Sequence, residues 1–193
     1  MLNVPISNDS DRGHIMNQLV NVGMTNSVGD ITQYLTFQSA NDTFAIGILD
    51  VKEIIEIEGI TRVPMMPEFL CGIINLRGKV VPVIDLSKRL GRLTTVISKK
   101  SCIVLVEVSH EDERQTIGML VDEVNEILEI DDEHTQPPPD FGADLRVDFI
   151  RAMGRVGEHF MILLDINYVL SVADISAISQ LNFRSAEDID EAL

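Results

Sequence analysis

At 193 residues the chain is long enough for one domain or two small packed subdomains, and its 45% hydrophobic content is enough for a core. Aromatics are only 5% and Trp is absent, so that core is aliphatic, in a composition unlike that of a disordered chain. A formal net charge of −16 repels phosphate backbones and anionic bilayers at long range, which sets nucleic-acid binding and direct membrane insertion aside.

Residues 1–30, rich in Asn, Ser, Gly and Asp, read as a mobile N-terminal extension. They lack the basic start and continuous apolar stretch of a secretion signal, and no later run is long enough to span a bilayer, so the expected location is cytoplasmic. Residues 33–38 alternate Leu35 and Phe37 against Tyr34 and Thr36, the pattern of a half-buried strand. Ala40-Asn41-Asp42 supplies a turn, and residues 43–49 put Phe44, Ile46 and Ile48 on one face of a partner strand. Residues 50–57 continue with Val51, Ile54, Ile55 and Ile57 set between Glu53, Glu56 and Glu58. Pro64 and Pro67 interrupt regular structure.

Ile73, Ile74 and Leu76 then predict a strand, Arg77-Gly78-Lys79 a tight turn, and residues 80–84 a second, almost wholly apolar strand. Pro82 has no N–H to give a ladder, so its amide must face an edge or a bulge. Asp85 begins a helical turn that carries Lys88 and Arg89 near its end and stops at Gly91. Arg77 is a long cation at the tip of an apolar hairpin, placed there for solvent or for a partner.

Residues 93–100 read as a linker, 102–108 and 116–121 as strands around a charged turn, and 122–130 as charges alternating with Val124, Ile127, Leu128 and Ile130. Pro137-Pro138-Pro139 opens an extended connection. Residues 149–153 and 160–164 form another hairpin around Gly157, and Asp165 caps a helix expected through Leu170, with a second segment to Leu181. Residues 182–193 are an acidic tail.

The chain also echoes itself. Ile46-Gly47-Ile48-Leu49 followed by Val51-x-Glu53-Ile54-x-Glu56-Ile57 is answered by Ile117-Gly118-Met119-Leu120 and then Val124-x-Glu126-Ile127-x-Glu129-Ile130. Gly78 and Asp85 are answered by Gly157 and Asp165. A diverged duplication of a small β subdomain gives this pattern, with strands near the closure length of small barrels.

No residue set points to bond-making chemistry. Asp85 and Asp165 serve as helix N-caps before they need be paired catalytic carboxylates. The run Asp131-Asp132-Glu133-His134 lacks metal-ligand spacing from a second element, so neither metal nor cofactor is expected. Cys71 and Cys102 lie in apolar runs and read as buried reduced thiols. Phosphate loops, nucleophile elbows and zinc-helix motifs are missing. A binding module is the better reading.

One long string carries a resemblance. Pro67-x-Phe69-x-x-Gly72-x-Ile74-Asn75-Leu76-Arg77-Gly78-x-Val80-Val81-Pro82-Val83-Ile84-Asp85-Leu86 resembles the signature of the CheW-like family, the coupling proteins of bacterial chemotaxis, and the likeness runs from about residue 33 to residue 181. It implies a mainly β fold over residues 31–181: two intertwined SH3-like five-stranded barrels packed together, with a C-terminal helix. It further implies a non-enzymatic adaptor that joins the cytoplasmic tips of methyl-accepting chemoreceptors to the regulatory domain of the histidine kinase CheA. Recruitment to membrane-associated arrays, and contact with other CheW-like proteins in array rings, belong to the same expectation. An adaptor of the same fold in a pathway for surface motility or second-messenger output is the alternative. Carried onto this chain, the resemblance gives Arg77 and Gly78 as the coupling turn and Gly72 as the hairpin foot. Val51 and Glu53 match the segment after the second strand, and Cys102, Val124 and Ile127 would line a groove between the barrels. Core packing is the competing account for Val51, Cys102, Val124 and Ile127, and a solvated face for Glu53. The long N-terminal arm and Cys102, where a β-branched residue is usual, depart from the family pattern.

Overall fold

The structure, a computed structural model, describes residues 31–110, 113–138, 148–170 and 174. The N-terminal extension, the connection beyond Pro138, the second helical segment to Leu181 apart from Asp174, and the acidic tail are expected from sequence and lie outside the described residues.

The first hairpin joins β1 (Ile31–Ser39) to β2 (Asp42–Gly47). Its turn residues Ala40 and Asn41 both have positive φ, 52° and 67°, which matches the twist of antiparallel strands in a two-residue connection. One 3-10 turn (Ile48–Asp50) leads into β3 (Val51–Ile55). Next come β4 (Leu70–Leu76), β5 (Lys79–Asp85) and the single-turn helix α1 (Leu86–Arg89). The second half runs β6 (Cys102–His110), β7 (Glu113–Val121), β8 (Glu123–Asp131), the short β9 (Thr135–Gln136), β10 (Ile150–Val156), β11 (His159–Leu164) and α2 (Ile166–Val169). The strands form a six-stranded sheet, β8-β1-β2-β11-β10-β9, and a five-stranded sheet, β3-β6-β7-β5-β4.

The sequence echo is present, but the repeat is not the sheet. Each sheet draws strands from both halves of the chain. β1 pairs with β8, β2 with β11, β3 with β6 and β5 with β7. The two crossovers β5–β7 and β11–β2 are parallel, and the hairpins within each half are antiparallel. The two halves therefore interlock, and neither sheet can form from one half alone. The likeness between halves extends to backbone detail: the Asp85 amide donates to the Phe69 carbonyl at 2.7 Å, and the Asp165 amide donates to the Phe149 carbonyl at 2.9 Å.

A single large apolar cluster crosses both sheets, with Leu35, Phe37 and Ile46 from one and Val104, Val106, Ile117 and Met119 from the other. Phe37 and Phe44 stack at 6.2 Å between centroids. At about 25 cal/mol per Å², burying each of these side chains contributes roughly 1.5–3 kcal/mol. This shared core, with the interlock, makes the two sheets one body.

Pro82 fits because β5 pairs with β7 only from Val83 onward, so its missing N–H lies just outside that ladder. The strands β6 and β7 run further than periodicity suggested. Their ladder continues through Ser109↔Arg114 to His110↔Glu113, since cross-strand pairing overrides the weak strand preference of polar residues. The C-terminal helix, expected through Leu170, is a single turn ending at Val169. Ile166, Tyr168 and Val169 are β-branched or aromatic and gain little in a helix, so the turn is held mainly by its cap.

Both caps act as expected. Asp165 accepts from the Asn167 amide at 3.0 Å, and Asp85 from the Lys88 amide at 3.2 Å. Asp85 is buried and does more: it also accepts from the Thr95 amide and hydroxyl, each at 2.9 Å, pinning the following segment to the end of β5. Asp85→Ala should cost about 2–4 kcal/mol, since it strands buried donors as well as removing a cap. A urea titration reads this directly, and a loss below about 1 kcal/mol would mean that water replaces the carboxylate.

Candidate functional site

Two residues that the resemblance gives from separate segments meet in space. Arg77 Nη2 donates to Glu53 Oε1 at 2.7 Å. They are brought together by two local devices. Arg77 (φ 52°) and Gly78 (φ 84°) form a tight turn with both φ positive, and Asn75 Oδ1 accepts from the Gly78 amide at 2.8 Å to hold it. On β3, the pairing with β6 shifts register between Val51 and Glu53, a bulge at Lys52 that re-aims the strand beside the hairpin tip. Asn75 was not singled out as a site residue; its signal is an Asn three positions before a glycine turn.

The pair is asymmetric in exposure. The Glu53 side chain is 19% exposed, the Arg77 side chain 75%. Glu53 thus anchors one edge of a guanidinium whose remaining donors face outward. Nearby on β3 and β6, Lys52 pairs with Glu107, which also pairs with Arg114 at 3.3 Å. The Lys52 hydrogen bond, with help from Arg114, holds the Glu107 carboxyl below its ordinary range.

Gly78 sits in open space, but Gly72 does not. A Cβ on Gly72 would lie 2.1 Å from the Thr61 carbonyl oxygen, and Gly72 has φ 145°. Thr61 and Ile73 exchange both backbone hydrogen bonds at 2.9 Å, so the glycine lets the segment before the hairpin close over β4. Gly72 is buried and supports the hairpin from within.

The four apolar residues expected to line a groove all touch one cluster. Val51 and Cys102, the latter 1% exposed, are buried members of the shared core; Val124 and Ile127 on β8 are half-buried and pack against it. Burial puts Val51 and Cys102 in the core and leaves Val124 and Ile127 partly exposed. The hairpin tip and the β8 residues come from opposite sheets. Large apolar side chains on the surface that periodicity did not single out as surface include Leu49, next to β3, and Phe160 near the tip of the β10–β11 hairpin.

Cys102 is buried as expected, whereas Cys71, also expected to be buried, is half-buried. No disulfide joins them. Burial first, then the Asp85 carboxylate, pushes the Cys71 thiol up to about 11. Alkylation of Cys71 should be slow at pH 7.5 and speed up about tenfold per pH unit; fast labelling at neutral pH would contradict this environment. Burial also raises the Asp50 carboxyl, against the pull of Arg151. The folded chain therefore holds the Asp50 proton more tightly than the unfolded chain does. Stability contributed here falls as pH rises from the ordinary carboxylate range through the raised pKa, and Asp50→Asn should flatten that slope in a pH series of urea melts. The acidic run at residues 131–134 ends β8 and forms a 3-10 turn, where His134 Nδ1 lies 3.6 Å from Asp131. Among the described residues, no group of three or more His, Cys, Asp or Glu is placed to hold a metal, and no helix is long and apolar enough to cross a membrane.

Residues 33–174 match the CheW-like domain family. A "Chemotaxis protein CheW" from Klebsiella aerogenes is 28% identical over 149 residues, covering 77% of this chain and 87% of that protein. A "Probable chemotaxis protein CheW" from Rhizobium etli is 31% identical over 145 residues, covering 75% of this chain and 91% of that protein. Among solved structures, the scaffolding protein TtCheW from Thermoanaerobacter tengcongensis superposes with a TM-score of 0.66 at 33% identity, covering 75% of this chain and 95% of that one.

Proposed function

The chain belongs to the CheW-like domain family, and from that premise we propose that it is a non-enzymatic chemotaxis adaptor, coupling chemoreceptor tips to the regulatory domain of the histidine kinase CheA in cytoplasmic, membrane-associated arrays. The observation that carries the reading is the Arg77–Glu53 pair: a buried-side carboxylate fixes an outward guanidinium at the rim of an aliphatic body. An exposed ion pair adds little to stability, so the fold gains little from holding this one so deliberately. A partner carboxylate or carbonyl gains a preorganised fork.

In this reading Arg77, Gly78 and Glu53 make the contact. Val124 and Ile127 contribute an apolar flank where a receptor helix can lay its hydrophobic face. Gly72, Val51 and Cys102 act from beneath by fixing the hairpin and core. Receptor motion would change these contacts between two states and so bias the kinase. Kinase contact would be barrel to barrel, and other CheW-like proteins would meet the chain in array rings.

Co-sedimentation of the purified chain with receptor-containing membranes and CheA tests the proposal. Recovery in the pellet only when receptor is present is the expected result. A chain that stays in the supernatant with both partners present would overturn it. The same assay with kinase and receptors of a motility or second-messenger pathway decides between that alternative and chemotaxis proper.

A further inference from the structure

The interlock of the two halves has a consequence for assembly. Residues 31–91 supply β1 to β5, residues 102–170 supply β6 to β11, and every sheet pairing between them reads the same whether the halves belong to one chain or two. Only the segment between them decides. Its first part is fastened to the first half: Ser87 Oγ donates to the Leu93 carbonyl at 2.6 Å, Arg92 pairs with Asp42 at 2.7 Å, and Thr95 is held by Asp85. Beyond Thr95 the character changes. Val96 is 85% exposed and Ile97 57%, and a local turn follows in which the Ser98 amide donates to Ser101 Oγ and the Ser101 amide to the Ser98 carbonyl. That turn folds the chain back into β6. Lys100 pairs with Glu123 from an exposed position, a contact cheap to give up.

We propose that a second copy of this chain is a partner, by exchange of halves: residues 96–100 extend as a hinge, and residues 102–170 of each copy complete residues 31–91 of the other. All native pairings are kept, so the exchange changes only the turn and the hinge. Five extended residues span up to about 17 Å, enough to separate two closed bodies at their edge. Exposed aliphatic side chains at the hinge come to face the second hinge, which runs alongside. Arg77 and Glu53 both lie in the first half, so each body keeps one complete pair. If the adaptor reading holds, the exchanged dimer is bivalent, and its two sites gain in effective concentration.

The test uses the full chain. Gln33 and Glu129 face each other across β1 and β8, one from each half. A Gln33→Cys, Glu129→Cys variant places a disulfide within reach across that strand pair. It is combined with Ser98→Ala and Ser101→Ala, which remove the side-chain bonds that close the turn and leave the hinge its full length. The expected result is a dimer by light scattering that, once oxidised, stays a covalent dimer on a denaturing gel. The parent chain, lacking the added cysteines, should give none. Should that variant fail to fold, the cysteine pair in the otherwise unaltered chain, unfolded in urea and refolded at high concentration, reads the same exchange. Monomer alone in the refolded sample, or dimers that fall to monomers on the denaturing gel, would overturn the proposal. Assembly state is read without receptor or kinase, so its failure is separate from failure of the adaptor reading.

Discussion

Gly72→Ala should unfold the chain at a temperature about 6–12 °C lower than the parent, from a loss of about 3 kcal/mol or more. Two effects add. The backbone at Gly72 has φ 145°, where an L side chain is strained, and the new Cβ falls 2.1 Å from the Thr61 carbonyl oxygen and 2.8 Å from its carbon. The clash is with backbone, so no rotamer change relieves it. The segment carrying Thr61 would have to lift, breaking the two 2.9 Å bonds it exchanges with Ile73. Gly78→Ala is the control. Gly78 has φ 84° but nothing within 4 Å, so Ala there carries the backbone strain without a clash, about 1–2 kcal/mol. If both variants melt together, the Thr61 bridge is dispensable and strain alone sets the cost.

That contrast also marks what the sequence could and could not disclose. Each of Ala40-Asn41, Arg77-Gly78 and Gly157 announces a turn by residue type, and each hairpin was legible because its partners are local. Periodicity says which face of a strand is buried, but not which strand lies beside it. The echo of residues 46–57 in residues 117–130 therefore suggested two copies of a barrel. The structure shows two copies that build both sheets jointly, because β2 pairs with β11 and β5 with β7 across the halves. Gly72 reads from sequence as the foot of the hairpin; that it makes room for Thr61 depends on a segment just before Pro64 that carries no strand signal. Cys102 and Val51 could be assigned to core or groove with equal reason, since an apolar residue at a strand start suits both. Asp85 was read correctly as a cap, yet its grip on Thr95 is set by the path of the linker, which no pattern specifies.

Replacing Arg77 should separate function from fold. The guanidinium is 75% exposed and its ion pair with Glu53 is a surface one, so losing it costs stability no more than about 1 kcal/mol. Arg77 has φ 52°, a conformation that Asn tolerates better than Ala, so Arg77→Asn is the cleaner variant and Arg77→Ala carries a small backbone penalty. Receptor co-sedimentation should fall about tenfold or more for either, equivalent to about 1.4 kcal/mol or more of lost contact. Glu53→Gln should weaken it less, because the guanidinium stays and only its anchor is loosened. The charge swap, Arg77→Glu with Glu53→Arg, decides what the pair is for. It can re-form the ion pair but presents a carboxylate at the tip. Failure to restore binding places the need in the outward-facing donors of Arg77. Full restoration would mean that the pair only sets the angle between hairpin and β3, and would move the partner contact elsewhere. Unchanged binding in every single variant, each still folded, would remove Arg77 from the site altogether.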